Sequence, residues 1–574
     1  MSARSAVRLE YPDVPVGAVL AGSARRFDDR VVIHYQGREL SYAGLYARAC
    51  AFANALRANG VGRGDAVAIH LPNCPQYAVA YFGVLLAGAT FTPANPLLPP
   101  DDLGSQLADS GARTALTWAP VAPALLAVQD RTPVELVLVT DREQGVDPAH
   151  RPALPDRTVD FEDFHAGAPT TPPDADTVPA TDLAHLSYTG GTTGRSKAVQ
   201  LTHRNVVANV LQYACGGAGA VSRVDDAGGL WIEQTSPPEE HPTRLGTGVS
   251  ICLAPWFHAM GTIGGLNVPV LSGTTMVLHE RFEPAAYLAD VERFRATTLS
   301  GAPPLYAALL RHPDLATRDL TSVRGLSSGA APLPVEIIGG LRARLGDDVV
   351  IAEGYGLTEV TMGATIGPSA RTAVRKPGTV GPPVPDTEIA ILGPDGAEAP
   401  AGAEGEVCIR GPQVMRGYRN RPEETAATLT GGWLHTGDVG VLDEDGYLRI
   451  VDRQKDMLIY KGYNVYPREL EELLHAQPGV TGAAVVGRPQ ADVGELPVAF
   501  VVAPGLDPAG AQALVERVNA QVTPYKRLRE IVLVDEIPVS AAGKVLKRTL
   551  RERLTAGRHP GAPQVGPFRD QRPR

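Results

Sequence analysis

Short apolar runs alternate with amphipathic stretches along most of the chain, and this alternation constrains the fold more than any other feature. Residues 66–71, 135–140 and 273–278 have the length and composition of strands, whereas residues 77–86 indicate a helix. Strands that alternate with helices are typical of α/β layers. We therefore expect a large α/β body, and the sequence contains no internal repeat.

The pattern changes after about Asp452. Pro467 stands at the first turn of a predicted helix, and a second amphipathic helix is predicted at residues 511–522. Three strand-like runs accompany them, at residues 483–486, 497–502 and 530–534. Together these elements predict a compact α+β unit of about 100 residues, a usual size for a separate domain.

The length of 574 residues suggests about three or four core-sized units. We expect an N-terminal domain of several subdomains over residues 1–451 and a small C-terminal domain over residues 452–555. The segment 556–574 is rich in Pro, Gly and Arg, and we expect it to be a disordered tail.

Two internal segments have the composition of loops. Residues 141–182 are rich in Pro, Asp and Thr, which indicates a surface loop or linker. Residues 215–248 contain paired glycines and a Pro-rich run, and this segment is long for a connection within a compact domain. Loops of that length are usually functional or mobile.

Charge and cysteine content exclude several classes of protein. Lys and Arg total 53 against 63 Asp and Glu, so the net charge of −10 disfavours general nucleic-acid binding. The five cysteines are odd in number and lack CxxC spacing, which disfavours a disulfide framework or a zinc ribbon. Residues 1–12 contain no apolar core, and the longest apolar stretch, residues 77–91, is too short for a membrane span. We expect a cytoplasmic protein without a membrane span.

The strongest local signal is a loop rich in glycine and threonine at residues 188–199. Its glycines allow successive backbone N–H groups to converge on an anion. Thr189, Thr192 and Thr193 add hydroxyl donors, and Lys197 adds a positive charge. These features are typical of a phosphate-binding loop, although the Walker spacing is absent. Taken alone, the composition fits a flexible polar turn equally well.

Two further segments carry groups suited to a nucleotide. Tyr355 lies between glycines and can present its ring to a base, while Thr358 and Glu359 place a donor beside a carboxylate. A carboxylate together with phosphate oxygens is a usual way to hold Mg²⁺. Asp438 follows a Gly turn and could bind both hydroxyls of a ribose. Each segment also has a plain structural interpretation, as a polar junction after a strand or a turn-forming aspartate.

Three other patterns would indicate a hydrolase, a zinc site or an ordinary core histidine. Residues 325–329 fit the nucleophile-elbow pattern GxSxG of hydrolases, but they continue into small residues and lack an HGGG-type partner. His279 and Glu280 begin like the zinc motif HExxH, but Glu283 stands in place of the second His. His258, taken alone, could be an ordinary core histidine.

In this order the motifs resemble those of the adenylate-forming superfamily, which comprises acyl-CoA synthetases, carrier-protein adenylation domains and luciferases. The resemblance covers about residues 27–554 and leans towards CoA ligases of the fatty-acid type. After the phosphate loop, the matching segments are residues 255–258 (PWFH), 326–333 (LSSGAAPL), 354–359 (GYGLTE), 436–438 (TGD), 452–456 (DRQKD), 461–467 (KGYNVYP) and 538–548 (PVSAAGKVLKR).

The resemblance implies a fold and a reaction. The implied fold is a large N-terminal α/β body, made of sheets with helices plus a β-barrel-like subdomain, and a small mobile α+β C-terminal domain. In the implied reaction a carboxylate attacks the α-phosphate of Mg²⁺-bound ATP, which gives acyl-AMP and pyrophosphate. The thiol of coenzyme A then displaces AMP.

The resemblance also implies roles for individual residues. Thr358 contacts the α-phosphate, Glu359 ligates Mg²⁺ and His258 gates the acyl tunnel. Lys544 bridges the carboxylate and the α-phosphate in the first step, and Asp452 is the hinge about which the C-terminal domain turns. Binding of the nucleotide and of coenzyme A falls to Thr189, Gly190, Gly191, Thr192, Thr193, Gly194, Lys197, Gly329, Ala330, Ala331, Tyr355, Asp438, Arg453, Lys461 and Gly462.

The sequence departs from the family pattern at two places. Ser196 and Ala198 replace the Pro and Gly that usually stand in the phosphate loop, and the Cβ of Ala198 could crowd the phosphates. The 215–248 loop is longer than its counterparts. We hypothesise that it covers the nucleotide side of the pocket, in which case adenylation would be weak or lost.

The expected acyl pocket consists of residues 258–265, 301–304 and 360–363, which are mostly small or apolar. His258 follows Phe257 where amino-acid-activating relatives usually have Asp, so an amino acid is disfavoured. A bulky apolar acid of fatty, aryl or terpenoid type fits best, and the Ala-, Gly- and Arg-rich composition would suit a natural-product pathway.

Three activities stay open: an acyl-CoA ligase, an acyl-AMP ligase that loads an acyl carrier protein, and a non-adenylating relative that binds or thioesterifies a pre-made acyl-AMP.

Overall fold

A computed structural model of the chain describes residues 1–5, 7–141, 154–189, 196–329, 333–453, 456–461, 463–490, 493–540, 545–555 and 564–565. In this part of the chain the strands are, in order, β1 (Ser2–Arg4), β2 (Val31–Tyr35), β3 (Arg38–Ser41), β4 (Ala66–His70), β5 (Thr90–Pro93), β6 (Thr114–Trp118), β7 (Leu136–Thr140), β8 (Val159–Asp160), β9 (Leu183–Tyr188), β10 (Ala198–Thr202), β11 (Ala220–Val224), β12 (Leu230–Gln234), β13 (Val249–Cys252), β14 (Thr275–Leu278), β15 (Thr298–Gly301), β16 (Gly325–Ser328), β17 (Val350–Tyr355), β18 (Thr365–Ile366), β19 (Glu388–Leu392), β20 (Gly405–Arg410), β21 (Gly417–Tyr418), β22 (Leu429–Thr430), β23 (Trp433–Leu442), β24 (Leu448–Arg453), β25 (Leu458–Tyr460), β26 (Tyr463–Val465), β27 (Gly482–Gln490), β28 (Gly494–Val502), β29 (Glu530–Leu533) and β30 (Gln564–Val565).

The α-helices of the same ranges are α1 (Gly17–Phe27), α2 (Tyr42–Ala58), α3 (Pro75–Leu86), α4 (Pro100–Ser110), α5 (Ala122–Leu126), α6 (Phe161–His165), α7 (His203–Ala218), α8 (Val268–Leu271), α9 (Pro284–Arg293), α10 (Pro303–Arg311), α11 (Asp314–Thr317), α12 (Val335–Leu345), α13 (Pro422–Thr428), α14 (Pro467–His475), α15 (Pro508–Asn519) and α16 (Lys547–Thr555). A π-helix spans Met260–Asn267 and leads directly into α8. No helix in the described ranges is long and apolar enough to cross a membrane.

Two eight-stranded sheets form most of the N-terminal body, as the α/β alternation predicts. Their strand orders are β21-β10-β9-β5-β4-β6-β7-β8 and β18-β17-β16-β15-β13-β14-β2-β3. Most neighbouring strands of the two sheets pair in parallel, for example β4 with β5 and β16 with β17, whereas β10 is antiparallel to β9 and β21. Helix α3 is buried around its whole circumference, which explains why its sequence is apolar without a polar face.

A third sheet of the body is antiparallel, with the order β1-β19-β20-β23-β22 and with β24 beside β23. The strand pairs of the described residues do not close this sheet on itself. It is therefore an open antiparallel sheet where the family resemblance led us to expect a barrel-like subdomain. Mixed α/β architecture with a large N-terminal body is otherwise confirmed.

The C-terminal residues build a sheet of their own, with the order β26-β25-β28-β29-β30 and with β27 beside β28. Residues of β27 alternate between its two faces: Val485 joins a core with α14 and α15, whereas Ala484 and Val486 join a core with α16. This period of two explains why the run reads as a strand in the sequence. The predicted helices and strands are confirmed here, although α15 ends at Asn519 rather than at residue 522.

The 141–182 segment is more ordered than its composition suggests. Residues 142–153 lie outside the described residues, but β8 and α6 follow within the same segment. Phe161 and His165 of α6 are buried, and the Phe161 ring lies 5.0 Å from the ring of Phe52 on α2. The prediction of a plain surface loop is wrong for this part, because two aromatic side chains fix it to the core.

The 215–248 segment does not cover the nucleotide pocket. Its first part, β11 and β12, forms a hairpin on α1, where the Arg25 guanidinium donates to Asp225 at 2.8 and 2.9 Å. The guanidinium carbon of Arg26 lies 4.2 Å from the centre of the Trp231 ring. The hypothesis of a lid is therefore wrong for the hairpin, because Trp231 of the hairpin packs against α1.

The rest of that segment lies at the far end of the second sheet. A Cβ on Gly325, the first residue of β16, would lie 2.7 Å from Pro242. Gly329 follows the other end of β16, so the strand separates Pro242 from the expected nucleotide wall. The backbone amide of Arg371 donates to the Glu240 carbonyl at 2.7 Å, which anchors the segment further.

Gln564 and Val565 form β30, which pairs with β29. The prediction of a disordered tail is therefore wrong at these two residues. Residues 556–563 and 566–574 of the predicted tail lie outside the described residues.

The contact between α1 and the hairpin is tight enough to test. A Cβ added at Gly22 would lie 2.0 Å from the Leu230 carbonyl oxygen, and a backbone atom cannot easily move away. Gly22→Ala should therefore destabilise the protein by about 1–3 kcal/mol, the usual cost of overpacking. Chemical unfolding followed by fluorescence measures the change.

Gly339→Ala is the matched control, because Gly339 is exposed on α12 and a Cβ there meets nothing within 4 Å. Replacing a helical Gly by Ala at such a site should be neutral or stabilising by about 0.5–1 kcal/mol. Equal stability of the Gly22→Ala protein and the wild type would contradict the packing described here.

Candidate active site

The predicted nucleotide residues converge where the second sheet meets the antiparallel sheet. Tyr355 is the last residue of β17, and Asp438 lies within β23. The Tyr355 hydroxyl donates a hydrogen bond to Oδ2 of Asp438 at 2.6 Å. The Asp438 side chain is buried and Tyr355 is half-buried, so the pair is partly shielded from solvent where the two sheets meet.

The phosphate-loop motif connects two antiparallel neighbours, β9 and β10. Residues 190–195 lie outside the described residues, so Gly190, Gly191, Thr192, Thr193 and Gly194 stay predictions. The base of the loop is described: the Thr189 amide donates to the Lys197 carbonyl at 3.0 Å, and the Ser196 hydroxyl donates to the Thr189 carbonyl. The two ends of the loop are thus held together.

Ala198 is the first residue of β10 and does not face the loop. Its side chain is buried in an apolar core cluster that also contains Leu186 and Ala115. The expected crowding of phosphates by its Cβ is therefore wrong, because the methyl group is used in the core.

Glu359 and Lys197 are brought together by a residue that the sequence analysis missed. The Tyr418 hydroxyl donates to Oε1 of Glu359 at 2.8 Å, and the Lys197 ammonium lies 4.8 Å from the centre of the Tyr418 ring. Burial, together with the nearby carboxylate of Glu359, raises the pKa of Tyr418 above its usual range, so the phenol stays protonated and donates. No short-range motif marks Tyr418, since its partners are distant in sequence.

Thr358 and Glu359 lie in a short 3₁₀ turn that ends at Val360. The next residue, Thr361, has φ of 68°, a conformation that β-branched residues rarely adopt. Its buried hydroxyl donates to the Gln413 carbonyl at 2.8 Å, and the Glu359 carbonyl accepts from the Met415 amide at 2.8 Å. The surroundings thus hold a strained backbone immediately beside Thr358 and Glu359, as is common at functional sites.

Gly329 connects the expected adenine wall to the expected acyl pocket. Its amide lies 3.3 Å from the Gly301 carbonyl, and a Cβ on Gly329 would lie 3.3 Å from the sulfur of Met260. Ala330 and Ala331 lie outside the described residues.

His258 is exposed immediately before the π-helix, and so is not a core histidine. Next to it, Trp256 is fully buried and its carbonyl accepts from the Tyr77 hydroxyl at 2.7 Å. A Cβ on Gly261 would lie 1.9 Å from the Pro255 carbonyl oxygen, so only glycine lets the π-helix approach this turn. π-Helical turns are frequent at functional sites.

The predicted hinge lies beside the antiparallel sheet. Asp452 of β24 pairs with Val439 of β23, and Oδ2 of Asp452 accepts from the Arg468 amide at the start of α14 at 3.1 Å. Lys547 of α16 pairs with Glu471 at 2.9 Å. Burial alone would lower the pKa of Lys547, but the carboxylates of Glu471 and Asp452 outweigh it and raise the pKa.

The remaining C-terminal site residues are only partly described. Arg453 pairs with Asp438 through the backbones of β24 and β23. Lys461 lies in the turn between β25 and β26 with φ of 52°, and its amide donates to the Val493 carbonyl at 2.7 Å. Gly462 and Lys544 lie outside the described residues.

Comparison with known proteins agrees with the fold and the motifs. Residues 20–419 match the family described as AMP-binding enzyme, and residues 469–544 match the AMP-binding enzyme C-terminal domain. The chain is 34% identical over 567 residues to a long-chain-fatty-acid–CoA ligase of Bacillus subtilis (strain 168), with 96% of each chain covered. It is 36% identical over 527 residues to 4-coumarate–CoA ligase 2 of Oryza sativa subsp. japonica, with 91% of this chain and 88% of the relative covered.

Solved structures with the same fold include two ligand complexes. The anthranilate CoA ligase AuaEII bound to anthranoyl-AMP superposes with a TM-score of 0.82 at 25% identity, covering 96% of this chain and 99% of that one. ATP-bound MatB from Rhodopseudomonas palustris superposes with a TM-score of 0.79 at 30% identity, covering 93% and 98%.

The fold, the ordered motifs and these matches define the class as an acid–thiol ligase. The chain belongs to the AMP-binding enzyme family and is an AMP-forming acyl-CoA synthetase that uses ATP and coenzyme A to activate a small-molecule carboxylic acid.

Proposed function

We propose that the enzyme activates a bulky apolar carboxylic acid. The observation that carries this proposal is the meeting of the three expected pocket segments. Met260 contacts the Gly329 region, Gly329 is joined to Gly301, and a Cβ on Gly264 would lie 3.1 Å from the sulfur of Met362. Two flexible methionines therefore lie at the boundary of the pocket, where they can adapt to an apolar tail.

The polarity of these segments supports the same substrate class. His258 is the only ionisable residue in residues 258–265, 301–304 and 360–363. The hydroxyls of Thr262 and Thr361 donate to the backbone carbonyls of Trp256 and Gln413. A second charge on the substrate would find little compensation there, and burying an unpaired charge costs several kcal/mol.

For the nucleotide, we propose that Tyr355 stacks on adenine beside Gly329, Ala330 and Ala331. Asp438 is proposed to bind the ribose hydroxyls, joined by Arg453. The buried carboxylate of Asp438 supports this role, because its neighbour Tyr355 would place the base and the ribose against adjoining groups.

For the phosphates, we propose that Thr189, Thr192, Thr193 and Lys197 bind the β- and γ-phosphates and that Thr358 contacts the α-phosphate. Glu359 suits a Mg²⁺ ion, since it offers a carboxylate held in place by Tyr418 on the same side as the Lys197 ammonium. Mg²⁺ would neutralise phosphate charge as the anionic carboxylate approaches. Charge compensation and positioning are the main contributions that such a reaction needs.

For the two half-reactions, we propose that the C-terminal domain turns about Asp452. In one pose Lys544 bridges the substrate carboxylate and the α-phosphate. In the other pose Lys461 and Gly462 line the approach of the coenzyme A thiol, with His258 gating the acyl pocket. The hydrogen bond that the Asp452 carboxylate accepts from the Arg468 amide supports a hinge here, because it links β24 directly to the first helix of the C-terminal unit.

We propose that adenylation is retained. The methyl group of Ala198 is buried in the core, and the β11–β12 hairpin docks on α1. Neither feature therefore argues for a purely thioesterifying enzyme.

A panel of acids tests the substrate class. Cinnamate and octanoate should give kcat/KM values at least about a hundredfold higher than malonate or phenylalanine, because the latter bring an extra charge into an apolar pocket. ATP–pyrophosphate exchange without coenzyme A and acyl-CoA formation with it are measured separately for each acid.

Each outcome of the panel has a distinct meaning. A preference for malonate or phenylalanine would contradict the apolar pocket. Exchange without acyl-CoA formation would indicate a carrier-protein acceptor, and acyl-CoA formation from synthetic acyl-AMP without any exchange would indicate a non-adenylating enzyme.

Tyr418→Phe tests the Mg²⁺ role of Glu359. The variant keeps the ring beneath Lys197 but removes the hydroxyl that orients the carboxylate, and hydrogen bonds to charged groups contribute about 1.5–3 kcal/mol. We expect half-maximal ATP–pyrophosphate exchange to need about tenfold more Mg²⁺. Tyr447→Phe, which removes a hydroxyl bonded to the Val374 carbonyl at 2.6 Å, is the control and should not change the Mg²⁺ requirement. An unchanged requirement in Tyr418→Phe would count against the role.

Lys544→Ala tests the division of labour between the half-reactions. Removing a cation from the transition state should lower acid-dependent pyrophosphate exchange by about a hundredfold or more. Thioester formation from synthetic acyl-AMP should fall far less. Arg548→Ala, at an exposed position of α16, is the control for loss of a nearby positive charge. Similar losses in both half-reactions for Lys544→Ala would overturn the assignment.

A further inference from the structure

A β-bulge places Asp438 at the site. Along β20 and β23, Glu406 pairs with Val439 and Cys408 pairs with His435. Two steps on β20 therefore correspond to four steps on β23, and residues 436–438 have no register partner on β20. Gly437, in the middle of these three residues, has φ of 68°. Bulges of this kind reorient side chains and occur often beside active sites.

A bulge leaves backbone groups without their ladder partners, and a buried N–H must find another acceptor. Here the Gly437 amide donates to Oε1 of Glu406 at 3.0 Å. The other carboxylate oxygen of Glu406 lies 2.9 Å from Nδ1 of His435. The carboxylate thus links Gly437 at the apex of the bulge to His435 at its beginning.

The rest of the bulge is fixed by the same strand. The Thr436 hydroxyl donates to the Val407 carbonyl at 2.7 Å and accepts from the Asp438 amide at 3.0 Å. Asp438 then accepts from the Tyr355 hydroxyl at 2.6 Å. Hydrogen bonds and the short backbone segment between them therefore connect Glu406 through the bulge to the proposed ribose carboxylate.

We propose that Glu406 is a positioning residue that holds Asp438 in the orientation needed to bind the ribose hydroxyls of ATP. The carboxylate satisfies the Gly437 amide and ties His435 to the same strand, so the bulge has a single shape. This inference rests on the proposed role of Asp438. Glu406 itself acts only through its contacts with the Gly437 amide and the His435 ring.

A metal site is a weaker interpretation of the same cluster. The donor atoms of Glu406, Cys408 and His435 lie within 4.8 Å of one another. However, both oxygens of Glu406 are already engaged by Gly437 and His435. Burial raises the pKa of Cys408 to about 12, so the thiol is neutral near physiological pH and does not attract a cation.

The test compares ATP with dideoxy-ATP, which lacks both ribose hydroxyls. For each protein, the KM of each nucleotide is measured in acid-dependent pyrophosphate exchange. The KM for dideoxy-ATP divided by the KM for ATP is the ratio that is compared. We expect a ratio of about ten or more in the wild type, since Asp438 contributes charged hydrogen bonds to ATP only. In Glu406→Ala the KM of ATP should rise about tenfold while that of dideoxy-ATP hardly changes, so the ratio falls towards unity.

Two further variants separate positioning from general stability. Glu406→Gln keeps a neutral acceptor for the Gly437 amide and should restore part of the ratio. Glu388→Ala removes a carboxylate of the same sheet that pairs with Arg4 and Arg410, and it should leave the ratio as in the wild type. If Glu406→Ala does not fold, Glu406→Gln decides by the same ratio, where a fall supports the inference and no change overturns it.

The failures can be told apart. A wild type that does not distinguish the two nucleotides would refute the ribose role of Asp438, and with it the proposed function of that residue. A wild type that distinguishes them, with an equal ratio in Glu406→Ala, would overturn the positioning role alone. Equal losses for both nucleotides in Glu406→Ala would likewise show a merely structural role.

Discussion

A single hydrogen bond joins two of the sheets that must meet for this site to exist. Tyr355 ends a strand of the mainly parallel second sheet, and Asp438 lies in the bulge of the antiparallel sheet. The first sheet is joined to them through Tyr418 of its edge strand β21, which holds Glu359 just beyond Tyr355. The groups proposed to face the nucleotide therefore come from three sheets, and two tyrosine hydroxyls connect these sheets.

Local charge rather than net charge decides what such a site can bind. The protein carries a net charge of −10, and the nucleotide and the acid are anions as well. Lys197 lies at the base of the proposed phosphate loop, and Glu359 is close by as the proposed ligand of a divalent cation. The proposed acyl side has the opposite character, with hydroxyls that donate to backbone carbonyls and methionines at its boundary. This division suits a substrate whose charge is confined to one end.

Much of the fold and the family were predictable from the sequence. Strand-length apolar runs identify β4, β7 and β14, and the motif order leads to the family because each motif has its own residue types and spacing. What escaped prediction depends on contacts between distant residues. The fixation of α6 by Phe52 and the docking of Trp231 against Arg26 leave no local pattern, so the composition rich in Pro or Gly predicts only loops there. Tyr418 and Glu406 escaped for the same reason, since their partners lie 59 and 31 residues away along the chain.

The central claim is that the acid is activated as an acyl-AMP, and the fate of its oxygen atoms tests this most directly. The acid is labelled with a heavy oxygen isotope in its carboxylate, converted with ATP and coenzyme A, and the phosphate products are analysed by mass spectrometry. Attack of the carboxylate on the α-phosphate predicts AMP that carries one labelled oxygen and pyrophosphate that carries none. Unlabelled AMP, or labelled inorganic phosphate formed together with ADP, would contradict the account.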